Sequence, residues 1–294
     1  MRDQGITTMS STEGLLAGAG RPPASGTRSR GGAKLVVGLL IVSAYVVVAV
    51  LAPWLAPHDP LAQDVTSALQ GPSSVHLLGT DELGRDVLSR LIAAARIDLP
   101  VAVLVTVLPC LIGTALGVIC GYLGGWTDAV VMRISDLLQA FPTYILMIVL
   151  VFSLGSGLRS LLISFSLVGW VVYARLVRTE VLQIRESEYV TAAITAGFGT
   201  PRIIVRHVLP NTLRQTFIYL TSDLVFAVTA LAAFSFLGFG IQQPTPEWGS
   251  MIAAAQPYIT SNTLLTVIPG IVITVLAFGF ALLGDALQDR AAKP

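Results

Sequence analysis

The amino-acid sequence predicts an all-α integral membrane protein with about six transmembrane helices. Hydrophobic residues make up 54% of the 294 residues and charged residues only 12%, whereas soluble proteins average roughly 25% charged residues. The mean hydropathy of +0.76 agrees with this composition. A soluble domain of this length has too little interior to bury so much apolar surface, so we expect lipid to surround most of the chain.

Apolar stretches approach or exceed the roughly 20 residues that a helix needs to cross a bilayer. The six stretches cover residues 35–55, 99–122, 130–153, 158–174, 216–239 and 264–284. Residues 1–34, rich in Gly, Ser, Thr, Pro and Arg, are interpreted as a disordered cytoplasmic arm, and residues 291–294 as a tail. No small-residue cleavage site follows the first stretch, which indicates a retained helix rather than a cleaved signal peptide.

The distribution of Lys and Arg predicts that both termini are cytoplasmic. If the N-terminus is inside, 14 of the 18 basic residues lie in cytoplasmic segments and only four lie outside. This excess agrees with the positive-inside rule, and the opposite orientation would reverse the counts. The net charge of +1 carries no strong field, so we expect no nucleic-acid partner.

Two segments between the spans are long enough to carry a function. The first is the external loop over residues 56–98, which together with the first span makes up the region 35–98. Its later part, Asp81 to Arg96, is expected to form an amphipathic helix at the membrane surface. The second is a cytoplasmic loop over residues 175–215, within the helical core of residues 99–290.

The cytoplasmic loop predicts a compact helix–turn–helix. Residues 181–196 favour a helix that Gly197 would cap, and Thr200 and Pro201 suit the N-cap and first position of a second helix. We expect the second helix to end at Leu209-Pro210, before the fifth span. The first helix has a surface of small residues, Ala192, Ala193, Ala196 and Gly197. This surface permits close approach by a partner, and packing against the protein's own helices is the alternative.

Glycine, proline and acidic residues within the spans add local predictions. Gly, repeated every four residues at positions 113, 117 and 121, indicates a helix-packing seam. Pro142 is expected to kink the third span. Asp136 and Asp223 are candidate polar residues of a translocation pathway, and the alternative is that both are solvated at the ends of spans.

Motifs for catalysis are absent from the sequence. The only lysines are Lys34 and Lys293, and neither belongs to a Walker A loop that would hold ATP phosphates. The histidines are scattered without an H-E-x-x-H motif, and there is no G-x-S-x-G nucleophile motif. We therefore expect no catalytic residues, no metal site and no enzyme activity. If the protein pumps a solute, a partner must supply the energy.

Residues 188–211, EYVTAAITAGFGTPRIIVRHVLPN, resemble the EAA motif of bacterial ABC importer permeases. Thr191 stands where the motif has Glu, and the other matched positions are Ala192, Ala193, Gly197, Leu209 and Pro210. Two further blocks, LGTDELGRDVLSRLI at 78–92 and SFLGFGIQQPTPEWGSM at 235–251, resemble the dipeptide/oligopeptide permease family, in the subunit type with an N-terminal extra span. Leu231 stands where that family often has Glu.

This resemblance implies a type I ABC importer permease in the bacterial inner (plasma) membrane. It would pair with a second permease subunit, and the EAA helix would couple it to two ATPase subunits that hold ATP and Mg²⁺. No cofactor is implied for this chain. A solute-binding protein would deliver the cargo outside, and the family's cargoes include dipeptides, oligopeptides, nickel complexes, haem and glutathione, among which these residues do not choose. A non-transporting membrane scaffold is the alternative, although it leaves the two external blocks unexplained.

The stretch from Gln242 to Gly249 is a further candidate site at the outer surface. Pro244 and Pro246 stiffen it, and Trp248 is expected to anchor it at the membrane interface. We expect this rigid loop to shape an extracellular gate or the docking face for the binding protein, and a simple anchored turn is the alternative.

Overall fold

A computed structural model describes residues 27–291, and the side chains from residue 32 onward. The described chain forms helices named here in order: α1 Thr27–Leu55, α2 Val87–Leu123, α3 Gly125–Gln139, α4 Thr143–Leu154, α5 Leu158–Arg185, α6 Glu188–Thr195, α7 Thr200–Ile203, α8 Leu209–Phe236, α9 Trp248–Ala255 and α10 Leu264–Ala291. Most of the predicted arm, residues 1–26, and most of the predicted tail, residues 292–294, lie outside the described residues. Helix α1 begins at Thr27, earlier than the expected residue 35.

The membrane-spanning helices agree with the predicted fold class. Within the described residues, five helices are long and apolar enough to cross a membrane, and a sixth span results if the bent pair α3 and α4 counts as one. The two helices of this pair meet at an angle of 90°. The break falls at Pro142, which precedes the first residue of α4. The kink expected at this proline is confirmed.

The amphipathic helix predicted at the outer membrane surface is instead part of α2 and the segment before it. The segment from Asp81 to Arg96 does not form a separate helix on the membrane, because α2 starts at Val87 and runs without interruption to Leu123. Arg85 and Arg90 are each only 1% exposed. Two carboxylates balance their charges: Asp81 lies 2.6 Å from Nε of Arg85 and 3.4 Å from Nε of Arg90, and Glu82 lies 3.0 Å from Nη2 of Arg85. Paired in this way, the amphipathic segment is buried inside the protein.

The glycine seam of α2 is confirmed. A methyl group added at any of these glycines would collide with α5: a Cβ on Gly117 would lie 2.6 Å from the carbonyl oxygen of Ala174. A Cβ on Gly121 would lie 2.9 Å from the carbonyl oxygen of Arg178. The two helices therefore approach closely enough that only glycine fits between them. Helix α5 continues to Arg185, well beyond the predicted end at residue 174.

The entry into α8 differs from the expected stop at Leu209-Pro210. The turn of α7 leads through a π-helical segment, Ile204–Val208, directly into α8. In the wide turn the N–H of Leu209 donates to the carbonyl of Ile204, five residues earlier. Pro210 has no N–H and crowds the preceding turn, and the wide segment accommodates it without ending the helix.

Three clusters of buried apolar residues hold the described bundle. The first, called the larger core, involves α2, α4, α5, α8, α9 and α10. The second, called the smaller core, packs the middle and end of α5 against α6 and the π-helical segment. The third joins the middle of α5 to α2 and α3. The segments that connect the helices lie at the two ends of the bundle. We call the end with residues 56–86 and 239–263 the loop end, and the end with residues 186–208 the α6 end.

Candidate coupling surface and translocation cavity

The turn after α6 is a Schellman motif built on a glycine. Gly197 has φ +81°, a left-handed conformation that favours glycine. Its N–H donates to the carbonyl of Ile194 at 2.9 Å, and the N–H of Phe198 donates to the carbonyl of Ala193 at 3.1 Å. The helix-capping position predicted for Gly197 is confirmed. The predicted N-cap is one residue too late, because Gly199 occupies that position with extended backbone.

Helix α6 divides the predicted small-residue surface between two faces. Ala193 is buried and, with Val190, packs against Val177 and Val181 of α5. Its expected contact with a partner is therefore wrong, because the hydrophobic pattern of α6 needs this face for the core. The opposite face is exposed and forms a shallow concave surface that is wide open to solvent. Its lining residues are Glu186, Glu188, Thr191, Ala192, Thr195 and Ala196.

The other matched positions of the motif hold the helix pair in place. Leu209 is half-buried and packs against the smaller core, and Pro210 is exposed in the first turn of α8. The Thr191 hydroxyl donates to the carbonyl of Ser187, within its own helix, at 3.2 Å. Thus Thr191 and Ala192 line the concave surface, whereas Gly197 and Leu209 shape the element behind it.

Phe198 is a residue of this element that sequence reasoning missed. The guanidinium of Arg202 lies 4.7 Å from the centre of its ring. The ring of His207 is nearly parallel to the Phe198 ring, with ring centres 6.3 Å apart. An apolar residue directly after a Schellman glycine often packs back onto its helix, and this was the available signal. Phe198 links the start of α7 to the π-helical segment.

A cavity of about 450 Å³ lies between the α3–α4 break, α5 and α8. Its walls are mostly apolar, with a few polar groups that include Gln139, Tyr219, Ser222 and Asp223. The hydroxyl of Tyr173 donates to the carboxylate of Asp223 at 2.8 Å, which fixes that side chain. A largely apolar cavity with few polar groups is typical of a small-molecule binding site.

The two candidate pathway acids lie in different surroundings. Asp223 lines the cavity, whereas Asp136 does not belong to its lining. The Asp136 carboxylate instead lies 2.6 Å from Nη2 of Arg175, and its side chain is 60% exposed. Arg175 also donates to the hydroxyl of Ser135 at 2.8 Å. The geometry therefore gives Asp136 an ion pair between α3 and α5, and leaves Asp223 as the pathway candidate.

Trp248 at the loop end is buried, so its expected role as an interface anchor is wrong. The side chain is 2% exposed. Its ring Nε1–H donates to the carbonyl of Leu91 at 3.1 Å, and its backbone N–H donates to the carboxylate of Asp98 at 3.0 Å. These bonds compensate the cost of burying polar groups and draw the tryptophan onto α2 instead of the membrane surface.

The rest of this stretch closes over the bundle. Pro244 is exposed and Pro246 is buried. The Glu247 carboxylate caps α9 by accepting hydrogen bonds from the N–H groups of Gly249 and Ser250, at 2.9 and 2.6 Å. Burial nevertheless raises the pKa of Glu247 above its ordinary value.

The two sequence blocks of the loop end meet in space. Nη2 of Arg85, in the block over residues 78–92, donates to the side-chain oxygen of Gln243 at 3.2 Å. Arg90 donates to the carbonyl of Pro60 at 3.1 Å. Arg90 thus attaches the first loop to α2, and Arg85, just before α2, attaches the segment around Gln243 to the first loop. Sequence reasoning had no signal for the pairing.

The comparisons with known proteins agree with this architecture. Residues 113–293 match the family described as binding-protein-dependent transport system inner membrane component. Residues 35–72 match the N-terminal transmembrane domain of oligopeptide transport permease C.

Relatives of similar length align over most of the chain. The dipeptide transport system permease protein of Alkalihalophilus pseudofirmus is 37% identical over 254 residues, covering 86% of this chain and 84% of that protein. The nickel transport system permease protein of Escherichia coli is 37% identical over 252 residues, covering 86% and 91%. The oligopeptide transport system permease protein of Bacillus subtilis is 36% identical over 262 residues, covering 89% and 86%.

Fold and comparisons together define a multi-pass membrane transport subunit, not an enzyme. The chain belongs to the family of inner-membrane components of binding-protein-dependent transport systems, which are the permeases of ABC importers. This family membership decides between the transporter and the scaffold that the sequence left open.

Proposed function

We propose that this permease forms one half of a translocation path for di- or oligopeptides. A second permease subunit forms the other half, and a solute-binding protein delivers the peptide at the loop end, outside the cell. Both termini then lie in the cytoplasm. The peptide cargo is supported by relatives whose names state dipeptide or oligopeptide transport, whereas the nickel permease is the reason to test a competing cargo.

Two ATPase subunits, which hold ATP and Mg²⁺, dock at the α6 end in this proposal. The observation that carries it is the exposed face of α6, where the short side chains of Ala192 and Ala196 line a concave surface. Close approach of a partner backbone is possible only where side chains are small. The smaller core joins α6 to α5 through Val190 and Ala193, so a push on α6 is transmitted to a membrane-spanning helix.

The cavity supports a peptide cargo by its chemistry. Asp223 offers a carboxylate that can pair with the N-terminal ammonium group of a peptide, and the apolar walls, which include Met147 and Phe226, suit varied side chains. Exposed apolar residues on α4, such as Ile145 and Phe152, leave this side of the bundle uncovered in the single chain. A second permease placed there would complete the path.

The decisive experiment enlarges the exposed face of α6. We expect Ala192→Trp combined with Ala196→Trp to abolish co-purification of the ATPase subunits and to reduce ATP-driven dipeptide uptake at least about tenfold, because bulky rings fill the concave surface. The matched control is Ile194→Trp, on the same helix at a 52% exposed position outside that surface. It should retain both activities.

Wild-type docking and uptake by the double variant would overturn the coupling role. Uptake of Ni²⁺ in place of the labelled dipeptide by the wild-type complex would overturn the peptide cargo while leaving the coupling role intact.

A further inference from the structure

Two histidines and an aspartate that are distant in sequence converge at the loop end. The Nδ1 atom of His76 lies 2.9 Å from one carboxylate oxygen of Asp86, and Nδ1 of His58 lies 3.8 Å from the other. The three potential ligand atoms all lie within 4.8 Å of one another. None of these residues lines the translocation cavity, and the inference does not depend on the proposed function.

The aspartate of this cluster is held rigidly. Asp86 is the N-cap of α2 and is 2% exposed. The carboxylate oxygen nearer His58 accepts hydrogen bonds from the backbone N–H of Ser89 at 2.8 Å and from its hydroxyl at 2.7 Å. The same hydroxyl accepts a hydrogen bond from the backbone N–H of His58 at 3.0 Å. Ser89 thus positions both the carboxylate and the first histidine, as outer-shell residues do around metal ions.

His58 has an unused coordination atom. Its Nδ1 is shielded from solvent and makes no hydrogen bond to any residue that the structure describes. A shielded polar atom without a partner is uncommon, because it has lost its hydrogen bonds to water without gaining others. Asp86 lies within hydrogen-bond distance of Nδ1 of His76, but no residue of the described chain offers such a partner to Nδ1 of His58. This nitrogen points to a ligand that would satisfy it.

We propose that His58, His76 and Asp86 bind a divalent transition-metal ion of the Zn²⁺ type through two Nδ1 atoms and one carboxylate. Zn²⁺ lies about 2.0–2.1 Å from nitrogen and oxygen ligands, so tetrahedral ligands are about 3.3 Å apart. The nitrogen–oxygen separations of 2.9 and 3.8 Å, one to each oxygen of Asp86, are close to this value, and the whole set of ligand atoms lies within 4.8 Å. Water completes the fourth position.

The ligand set selects the class of ion. Imidazole nitrogens suit Zn²⁺, Cu²⁺ and Ni²⁺, whereas Ca²⁺ and Mg²⁺ prefer oxygen ligands throughout. Because the ion would join residues 58 and 76 of the first loop to the start of α2, it ties that loop to the bundle. Binding to the folded form alone also stabilises that form by mass action.

Zinc titration of the full-length chain tests this site. The protein, purified with a histidine-free tag and treated with a chelator, is titrated with Zn²⁺ by calorimetry. We expect one ion per chain and an affinity at least about a hundredfold weaker in His58→Ala and in His76→Ala. The outer-shell variant Ser89→Ala should weaken binding about 10–100-fold. The third histidine provides the matched control, since His207→Ala, at the α6 end, should bind as the wild type does.

The melting temperature in chelator separates binding from folding. It should be the same for His58→Ala and the wild type, and added Zn²⁺ should raise it only in proteins with the intact site. Binding by His58→Ala and His76→Ala within about threefold of wild type, or equal loss in His207→Ala, would overturn the proposal. If His58→Ala melts much lower in chelator, His58→Gln, which keeps a polar side chain, replaces it and must show the same loss of affinity.

Discussion

At the scale of single residues, burial decides what each polar or aromatic side chain does. Trp126, at the start of α3, is 83% exposed, as expected for a tryptophan at a membrane interface. Trp248 has the same chemistry, but it lies against α2 with its N–H groups satisfied. The two tryptophans therefore differ in what their removal should cost.

We predict that Trp248→Ala lowers the free energy of unfolding by about 3–5 kcal/mol, because it leaves a large cavity in the core. Trp126→Ala should change it by no more than about 0.5 kcal/mol, as exposed substitutions do. Thermal melting of the detergent-solubilised protein measures both, and equal melting temperatures for the two variants would contradict the buried placement of Trp248.

At the scale of helices, close approach between α2 and α5 is the main contact of the bundle. Gly113, Gly117 and Gly121 lie along one face of α2, and each would direct a side chain into the backbone of α5. Glycine costs helix stability in isolation, and this cost is offset by the close packing that it permits. Glycine at a position without a neighbour has no such compensation.

Gly117→Ala should therefore destabilise the protein by about 1–3 kcal/mol, because its methyl group meets the carbonyl of Ala174 and forces the helices apart. The control is Gly270→Ala in α10, where an added Cβ meets no atom within 4 Å. That variant should be neutral or more stable by about 0.5–1 kcal/mol. Melting curves for the pair provide the measurement. A loss of stability in Gly270→Ala equal to that in Gly117→Ala would show that the seam has no special role.

At the scale of the whole molecule, the bundle has two different ends. The loop end carries the buried ion pairs of Arg85 and Arg90 and the folded loops around α9. The α6 end exposes a short helix and its concave surface. The proposed direction of transport requires the loop end to lie outside the cell.

Single cysteines at exposed positions test this orientation. Leu77 at the loop end is 59% exposed and Val205 at the α6 end is 64% exposed. In a background with Cys110 and Cys120 replaced by alanine, an impermeant maleimide added to intact cells should label Leu77→Cys but not Val205→Cys. Permeabilised cells, in which both positions should react, provide the control. Labelling of Val205→Cys alone in intact cells would show that the topology is the reverse of the one proposed.

Hydropathy and local backbone chemistry were sufficient for much of this protein. The length and composition of apolar runs determine that the chain spans the membrane, because transfer from water into lipid is favourable for every apolar side chain. The break at Pro142 and the turn at Gly197 depend on the residues themselves, through a missing N–H and a left-handed φ. The family resemblance likewise rests on residues close together in sequence.

Contacts between distant residues were decided only by the tertiary structure. The pattern from Asp81 to Arg96 is amphipathic in either a surface or a buried helix, and only ion pairs with its own neighbours permit burial. The same holds for Trp248, which needs Leu91 and Asp98 from another helix to satisfy its N–H groups. His58 and His76 are scattered in the sequence, yet they meet Asp86 because the first loop folds back onto the start of α2. Local sequence determines which residues avoid water, whereas the meeting of distant partners depends on the packing of the whole chain.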